Sequence, residues 1–191
     1  LNRRAEPFRT LVRSPAKLRQ KGIEAAETLT AELTDPRAIE GCCEGIDVVI
    51  STVGITRQRD GLTYMDVDYQ ANLNLLHEAV RSGVRRFIYV SVLNGEALRD
   101  LKICEAKERF VEKLEASGLD SCVVRPNGFF SDVTEFYEMA ARGRIYLFGD
   151  GELRANPIHG ADLAVVCVDA IDGSDREIRI GGPDTLTQNE M

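Results

Sequence analysis

A chain of 191 residues with 43% hydrophobic side chains is most naturally one soluble globular domain, long enough to bury a real core. Its net charge of −7, from 24 basic and 31 acidic residues, argues against a nucleic-acid partner, and no apolar run approaches the length of a membrane span. Five cysteines without a C-x-x-C pair, beside only two histidines, argue against a metal site and read as reduced, buried thiols of a cytoplasmic protein.

Taken in order, strands and helices alternate, the pattern of a doubly wound parallel sheet. Leu1-Asn2-Arg3-Arg4 reads as the tail of a helix, and Phe8-Arg9-Thr10-Leu11-Val12 as a strand. Pro15 to Arg19 is a short helical turn, and a weaker strand falls around Ala26 to Ala31. Asp35-Pro36 is a natural helix start, giving a helix through about Cys43. The β-branched run Ile46 to Val53 reads as a central parallel strand. Val67 to Ser82 is a helix with Leu73, Leu76 and Val80 at helical spacing, stopped by Gly83. Phe87 to Ser91 is a buried strand, Leu101 to Ser117 a charged amphipathic helix ending before Gly118, and Ser121 to Arg125 a strand closed by Pro126. From Asn127 to Pro157 the rhythm weakens while glycine and aromatic residues rise, which suggests a substrate-side region. Ala161 to Ile171 is a helix, Glu177 to Ile180 a strand, and Thr187 opens a further helix. Residues 1–126 are thus a partial dinucleotide-binding core, and 127–191 supply the last strands and the substrate side of the same domain.

In a doubly wound sheet a strand and a glycine-rich turn precede the first helix, yet no G-x-x-G-x-x-G occurs in the chain. The sequence is therefore read as a portion of a longer protein whose first strand lies in the middle of the sheet, where its absence leaves two inner edges unpaired.

The first visible strand ends in Arg13-Ser14, with Lys17 close behind. An acidic residue at this position selects NAD, whereas guanidinium and hydroxyl groups suit the 2′-phosphate of NADP. Taken alone, the segment reads equally well as a solvated basic turn.

Several motifs stand together in order: Val12-Arg13-Ser14-Pro15, Glu32-Leu33-Thr34-Asp35, Gly45 to Ser51, Val67-Asp68-Tyr69-Gln70-Ala71-Asn72, Gly83-Val84-Arg85-Arg86-Phe87, Val124-Arg125-Pro126, Asn156-Pro157-Ile158-His159 and Gly181-Gly182-Pro183. In this order the chain resembles the atypical, NmrA-like branch of the extended short-chain dehydrogenases/reductases, with a Rossmann-type NAD(P)-binding fold. The resemblance implies that Arg13 and Ser14 meet the 2′-phosphate of NADP (NAD being the alternative), that Glu32 and Leu33 flank the adenine, and that Val53 and Gly54 pass beneath the ribose. It also places Lys107 at the family's lysine position, Ser91 at the end of the fifth family strand, and Asn127, Phe129 and Phe130 beside the nicotinamide and substrate.

Typical members pair that lysine with a tyrosine four residues earlier, on the same helical face. Here Ile103 stands there, and isoleucine moves no proton; the residue after Ser91 is Val92, where a catalytic hydroxyl is common. Conventional alcohol dehydrogenation is thereby disfavoured, and Lys107 remains to bind the ribose or donate the proton itself. Two functions stay open: an NADP-dependent reductase of a small carbonyl, quinone or alkene, and a non-catalytic dinucleotide-binding sensor or assembly factor. His159, without a paired nucleophile, reads as structural.

Overall fold

The computed structural model describes residue 1 and residues 6–56, 61–147 and 149–191. Residues 2–5, which include most of the expected helix tail, lie outside them. Among the described residues, eight strands and five α-helices follow in order: β1 (Arg9–Val12), α1 (Pro15–Gln20), β2 (Glu27–Thr30), β3 (Val48–Ser51), α2 (Asn72–Arg81), β4 (Arg86–Val90), α3 (Lys102–Glu115), β5 (Asp120–Pro126), α4 (Phe130–Ala141), β6 (Arg154–Ala155), α5 (Gly160–Asp169), β7 (Glu177–Ile180) and β8 (Leu186–Thr187). Pro15 sits in the first turn of α1 with Ser14 extended before it, as its fixed φ favours. Gly83 and Gly118, at φ of 71° and 79°, follow α2 and α3 in the left-handed conformation that terminates helices.

β3, β4, β5 and β7 form a parallel sheet in that order, β1 and β2 pair in parallel, and β6 and β8 pair antiparallel. β4 is buried along its whole length, and β5 from Cys122 onward, which explains their unbroken apolar character. One core cluster packs α2 and α3 against this sheet through Leu76, Phe87, Tyr89, Phe110 and Leu114; another packs α5 on the opposite face through Ile88, Val124, Leu163 and Cys167. Helices therefore cover both faces, as expected of a doubly wound fold. Arg86, 1% exposed, ties the start of β4 to Asp120 and to the carbonyls of Ala170 and Asp175.

The reading of Ile46 to Val53 as a central strand needs refinement, because among the described residues β3 pairs with β4 alone. β1 and β3 are not paired with each other. A cavity of about 580 Å³ opens beside them, lined by Phe8, Ile23, Ile50, Leu163 and Val168.

Three other expectations are corrected. Asp35 to Cys43 is not a helix but a succession of turns closed by bonds such as Ala38 N–H to Asp35 O and Cys42 N–H to Ile39 O; Gly41 and Gly45, both at positive φ, break any helical course. The helix expected from Val67 opens as a π-helical segment, Met65–Ala71, and buries Asp68, Ala71, Asn72, Leu75, Leu76 and Ala79, leaving Val80 exposed. Thr187 belongs to β8 and exchanges reciprocal bonds with Glu190, a capping box with no helix after it among the described residues. The weakly patterned stretch after Asn127 contains α4, none of whose described side chains is fully buried.

Candidate cofactor site

Six of the residues singled out above come together. Arg13, Ser14, Glu32, Leu33, Val53 and Gly54 line one cavity of about 550 Å³ at the carboxyl ends of β1, β2 and β3, with Lys17 beside them. This is where a doubly wound sheet binds ligands, because the loops that follow adjacent strands diverge there. Leu33 is fixed from below: Asn74 of α2 donates its amide to the Leu33 carbonyl at 2.9 Å and itself accepts from Gln70 at 2.8 Å. The turn after β3 is also fastened from beneath. Ser51 donates to Asn72 Oδ1 at 2.6 Å, and the Asn72 amide reaches the carbonyls of Val53, Val67 and Asp68. Asn72 thereby bonds backbone carbonyls at and beside the π-helical turn, inside the protein where water is scarce.

Lys107 projects from α3 toward the underside of this turn. Its ammonium lies 3.0 Å from Asp68 Oδ1, 3.5 Å from the Tyr89 hydroxyl and 5.4 Å from the Tyr89 ring centre, and its side chain is 11% exposed. It is thus not one more solvated charge on α3, although the helix also carries exposed Lys102, Arg109, Glu112 and Lys113. A Cβ on Gly54 would stand 2.6 Å from Asp68 Oδ1 and 3.0 Å from Lys107 Nζ. Glycine at position 54 is therefore required by the ion pair on the protein side of the turn, whatever binds on the other side.

Asp68 is fully buried. Its Oδ2 accepts the Ile55 N–H at 3.2 Å, while Oδ1 has no aligned hydrogen-bond donor and is held by the charge of Lys107. Burial pushes its carboxyl above the usual range, against the opposing pull of Lys107 and the Ile55 N–H. Burial likewise pushes the Tyr89 phenol well above its ordinary value, with Asp68 and Glu108 adding to the effect. Tyr89 does not stand in for the tyrosine that α3 lacks at Ile103: it is 0% exposed on β4 and reaches Lys107 rather than the cleft.

Two named residues sit elsewhere. Ser91 is buried and donates to Glu108 Oε1 at 3.2 Å, within an ion-pair network described below. Asn127 follows β5 and donates to Asn156, whose amide bonds the Gly182 carbonyl at 3.2 Å, so it joins the ends of β5 and β7. His159 caps α5 by accepting the Ala161 N–H at 3.2 Å, a structural role. All five cysteines are free and buried, and no metal-binding cluster occurs among the described residues. No described helix is long and apolar enough to cross a membrane.

Sequence reasoning assigned no role to Asp68, Asn72 or Asn74. The available signal was the pair of polar residues at positions 68 and 72, four apart among buried apolar residues, with Asn74 on another face of the helix.

A family model described as NAD(P)H-binding matches residues 1–174. The chain belongs to that family. It is an atypical, NmrA-like extended short-chain dehydrogenase/reductase, of a family that binds NAD(P)H. Among curated relatives it is 30% identical over 129 residues to the photosystem II assembly factor Ycf39 of Trieres chinensis, an alignment taking in 68% of this chain and 40% of that one. It is 25% identical over 191 residues to the NAD(P)H azoreductase of Xenophilus azovorans, covering 97% of this chain and 63% of the relative. It therefore spans less than two thirds of the length of either protein. Among solved structures, the NADPH-dependent quinone oxidoreductase QOR2 of Escherichia coli, complexed with NADPH, superposes with a TM-score of 0.74 at 17% identity, over 94% of this chain and 61% of that one. That likeness establishes the fold.

The side chains fit one end of such a cofactor. Arg13, Ser14 and Lys17 offer donors for a phosphate, and Leu33 and Val53 offer apolar walls for a base. The glycine-rich turn that cradles a pyrophosphate has no counterpart in these 191 residues.

Proposed function

We propose that the protein is an NADP(H)-dependent reductase of a small quinone, alkene or carbonyl compound that works without the usual tyrosine. The observation that carries this reading is the sequestered Lys107 ammonium beneath Gly54, the glycine lining the candidate cofactor cavity. When bound, the nicotinamide group supplies a hydride. The chain's own part is to hold the adenosine end between Leu33 and Val53, to meet the 2′-phosphate with Arg13, Ser14 and Lys17, and to hold the Lys107 amine beneath the Gly54 turn that lines the cavity. The azoreductase and quinone-reductase relatives support this chemistry.

A second reading, a dinucleotide-binding assembly factor without turnover, draws on the similarity to Ycf39 and on isoleucine at position 103. Calorimetric titration of the full-length protein with NADPH and NADH, followed by turnover assays with menadione and an azo dye, separates the two. The reductase reading expects tighter NADPH binding and measurable turnover. It expects Arg13→Ala to weaken NADPH roughly tenfold, a fair loss for a charge-assisted bond, with NADH nearly unchanged. Lys107→Ala should lower turnover by roughly 10²-fold or more. NADPH binding without turnover of any such acceptor selects the second reading, and NADH binding as tight as NADPH overturns the cofactor preference.

A further inference from the structure

The π-helical segment brings a wholly buried carboxylate to the one place where the turn after β3 and the lysine of α3 can both be reached from it. Taking a carboxylate out of water is costly unless charges and hydrogen bonds replace its hydration. Two of the replacements, the Lys107 ammonium and the Ile55 N–H, belong to different elements of the candidate site. A chain that merely needed to fill this space would do as well with an apolar side chain, since replacing a buried ion pair by well-packed hydrophobic residues is often neutral or stabilising. Gly54, which lines the candidate cofactor cavity, lies so close above the pair that a single methyl group would displace it. Lysine is a flexible point charge on a four-carbon stem and does not hold a position by itself. The Tyr89 ring and hydroxyl limit Nζ on one side, and Asp68 fixes it on the other.

We infer that Asp68 is the positioning residue of this site: its carboxylate sets the place of the Lys107 ammonium and at the same time clamps the Gly54–Ile55 backbone, so that lysine and cofactor-side turn are held as one unit. This rests on the reading of Lys107 as the cofactor-site lysine. Asp68 touches neither cofactor nor substrate in this scheme and acts through its two partners.

The test is a double-mutant cycle in the full-length protein, with wild type, Asp68→Asn, Lys107→Met and the double variant, read in two ways. Without cofactor, hydrogen exchange of the Ile55 amide is followed, together with the melting temperature. With cofactor, the NADPH dissociation constant and the kcat and KM for menadione are measured. Positioning predicts that Asp68→Asn weakens NADPH binding or lowers kcat, and that the loss largely disappears in the Lys107→Met background, with a non-additivity of roughly 3- to 100-fold, the span seen for residues in one ion-pair network. It also predicts faster Ile55 exchange in Asp68→Asn and partial rescue of both readouts by Asp68→Glu, which keeps the charge. If Asp68→Asn does not fold, Asp68→Glu takes its place in the cycle: its longer arm moves Nζ and should alter kcat more than the melting temperature. Strictly additive losses, or an Asp68→Asn variant with wild-type binding and turnover, overturn the inference while leaving the role of Lys107 intact. A Lys107→Met variant with normal binding and turnover overturns the reading of the lysine and the inference with it.

Discussion

Residues 107 and 108 are neighbours on α3, both end in buried charges, and they belong to two ion-pair networks of opposite character. Glu108, 1% exposed, receives both ends of the Arg125 guanidinium at 2.5 and 3.0 Å and the Ser91 hydroxyl, while Arg125 also bonds Glu177 at 2.7 Å and the Val92 carbonyl at 3.3 Å. The planar fork of arginine suits this bidentate geometry. The Lys107–Asp68 pair has no such fork, and one carboxylate oxygen lacks an aligned donor. The first arrangement uses both carboxylate oxygens of Glu108 and the Arg125 fork to fasten β5, α3 and the loop after β4. The second is under-satisfied and sits beneath the loop that lines the candidate cofactor cavity. The more fully bonded network joins elements of the fold, and the less fully bonded pair is the one beneath the candidate cofactor cavity.

The largest expected effect breaks the joint. Glu108→Gln leaves Arg125 with a buried, poorly compensated charge, and should cost about 3–5 kcal/mol of unfolding free energy in denaturant titration of the full-length protein. The comparison further requires that the NADPH affinity of the folded fraction hardly change. A cost under about 1 kcal/mol, or a selective loss of NADPH affinity, would mean that the two networks are not separate in function.

Next in size is the glycine above the second pair. Gly54→Ala places a methyl group 2.6 Å from Asp68 Oδ1, so the pair or the backbone has to move. Overpacking of this kind costs about 1–3 kcal/mol. The same substitution should raise the NADPH dissociation constant, because the displaced groups are those that hold the turn. Asp68→Ala combined with Gly54→Ala makes room for the methyl group, so the double variant should lose less stability than the sum of the two single losses. If Gly54→Ala alone is silent in both measurements, the close approach carries no weight in solution.

How far the sequence foretold this follows from which signals are local. Strand ends and their loops are local, so Arg13 and Ser14 could be set at a strand end from strand order, while Glu32, Leu33, Val53 and Gly54 were expected from the family resemblance; all six line one cavity. Helix ends were legible where Gly83 and Gly118 take left-handed conformations. Asp35 to Cys43 misled because a good helix start says nothing about continuation: the segment closes i to i+3 bonds, and Gly41 at positive φ turns the chain. α4 escaped because Val133, Phe136 and Met139 are only half-buried and the helix carries no deep apolar stripe. Asp68 was quoted as part of a motif yet given no role, since a carboxylate in a helical sequence ordinarily points to water. Its function is a matter of what lies opposite it on α3, some 39 positions away in Lys107, and that distance is what a sequence taken alone does not span.

The smallest effect concerns the sign of two pH dependences, one from each network. Glu177 feels a burial cost that raises its carboxyl, but the hydrogen bonds and charges of Arg179 and Arg125 outweigh it and hold the group below the usual glutamate range. A carboxyl depressed in the folded state contributes stability above its unfolded value, and that contribution is lost as pH falls through the folded value. Its side chain is 35% exposed, so solvent screening keeps the contribution within about 1 kcal/mol. Asp68 is displaced the other way, chiefly by burial, so its contribution is most favourable below the ordinary aspartate range and declines as pH rises through its folded value. Unfolding free energies measured from about pH 3 to pH 7, around the ordinary carboxyl range, should therefore show Glu177→Gln flattening a rise with pH and Asp68→Asn removing a fall. The same direction of change in both variants would show that the two carboxylates experience the same kind of surroundings, and the distinction between a saturated joint and a strained functional pair would fail at its electrostatic root.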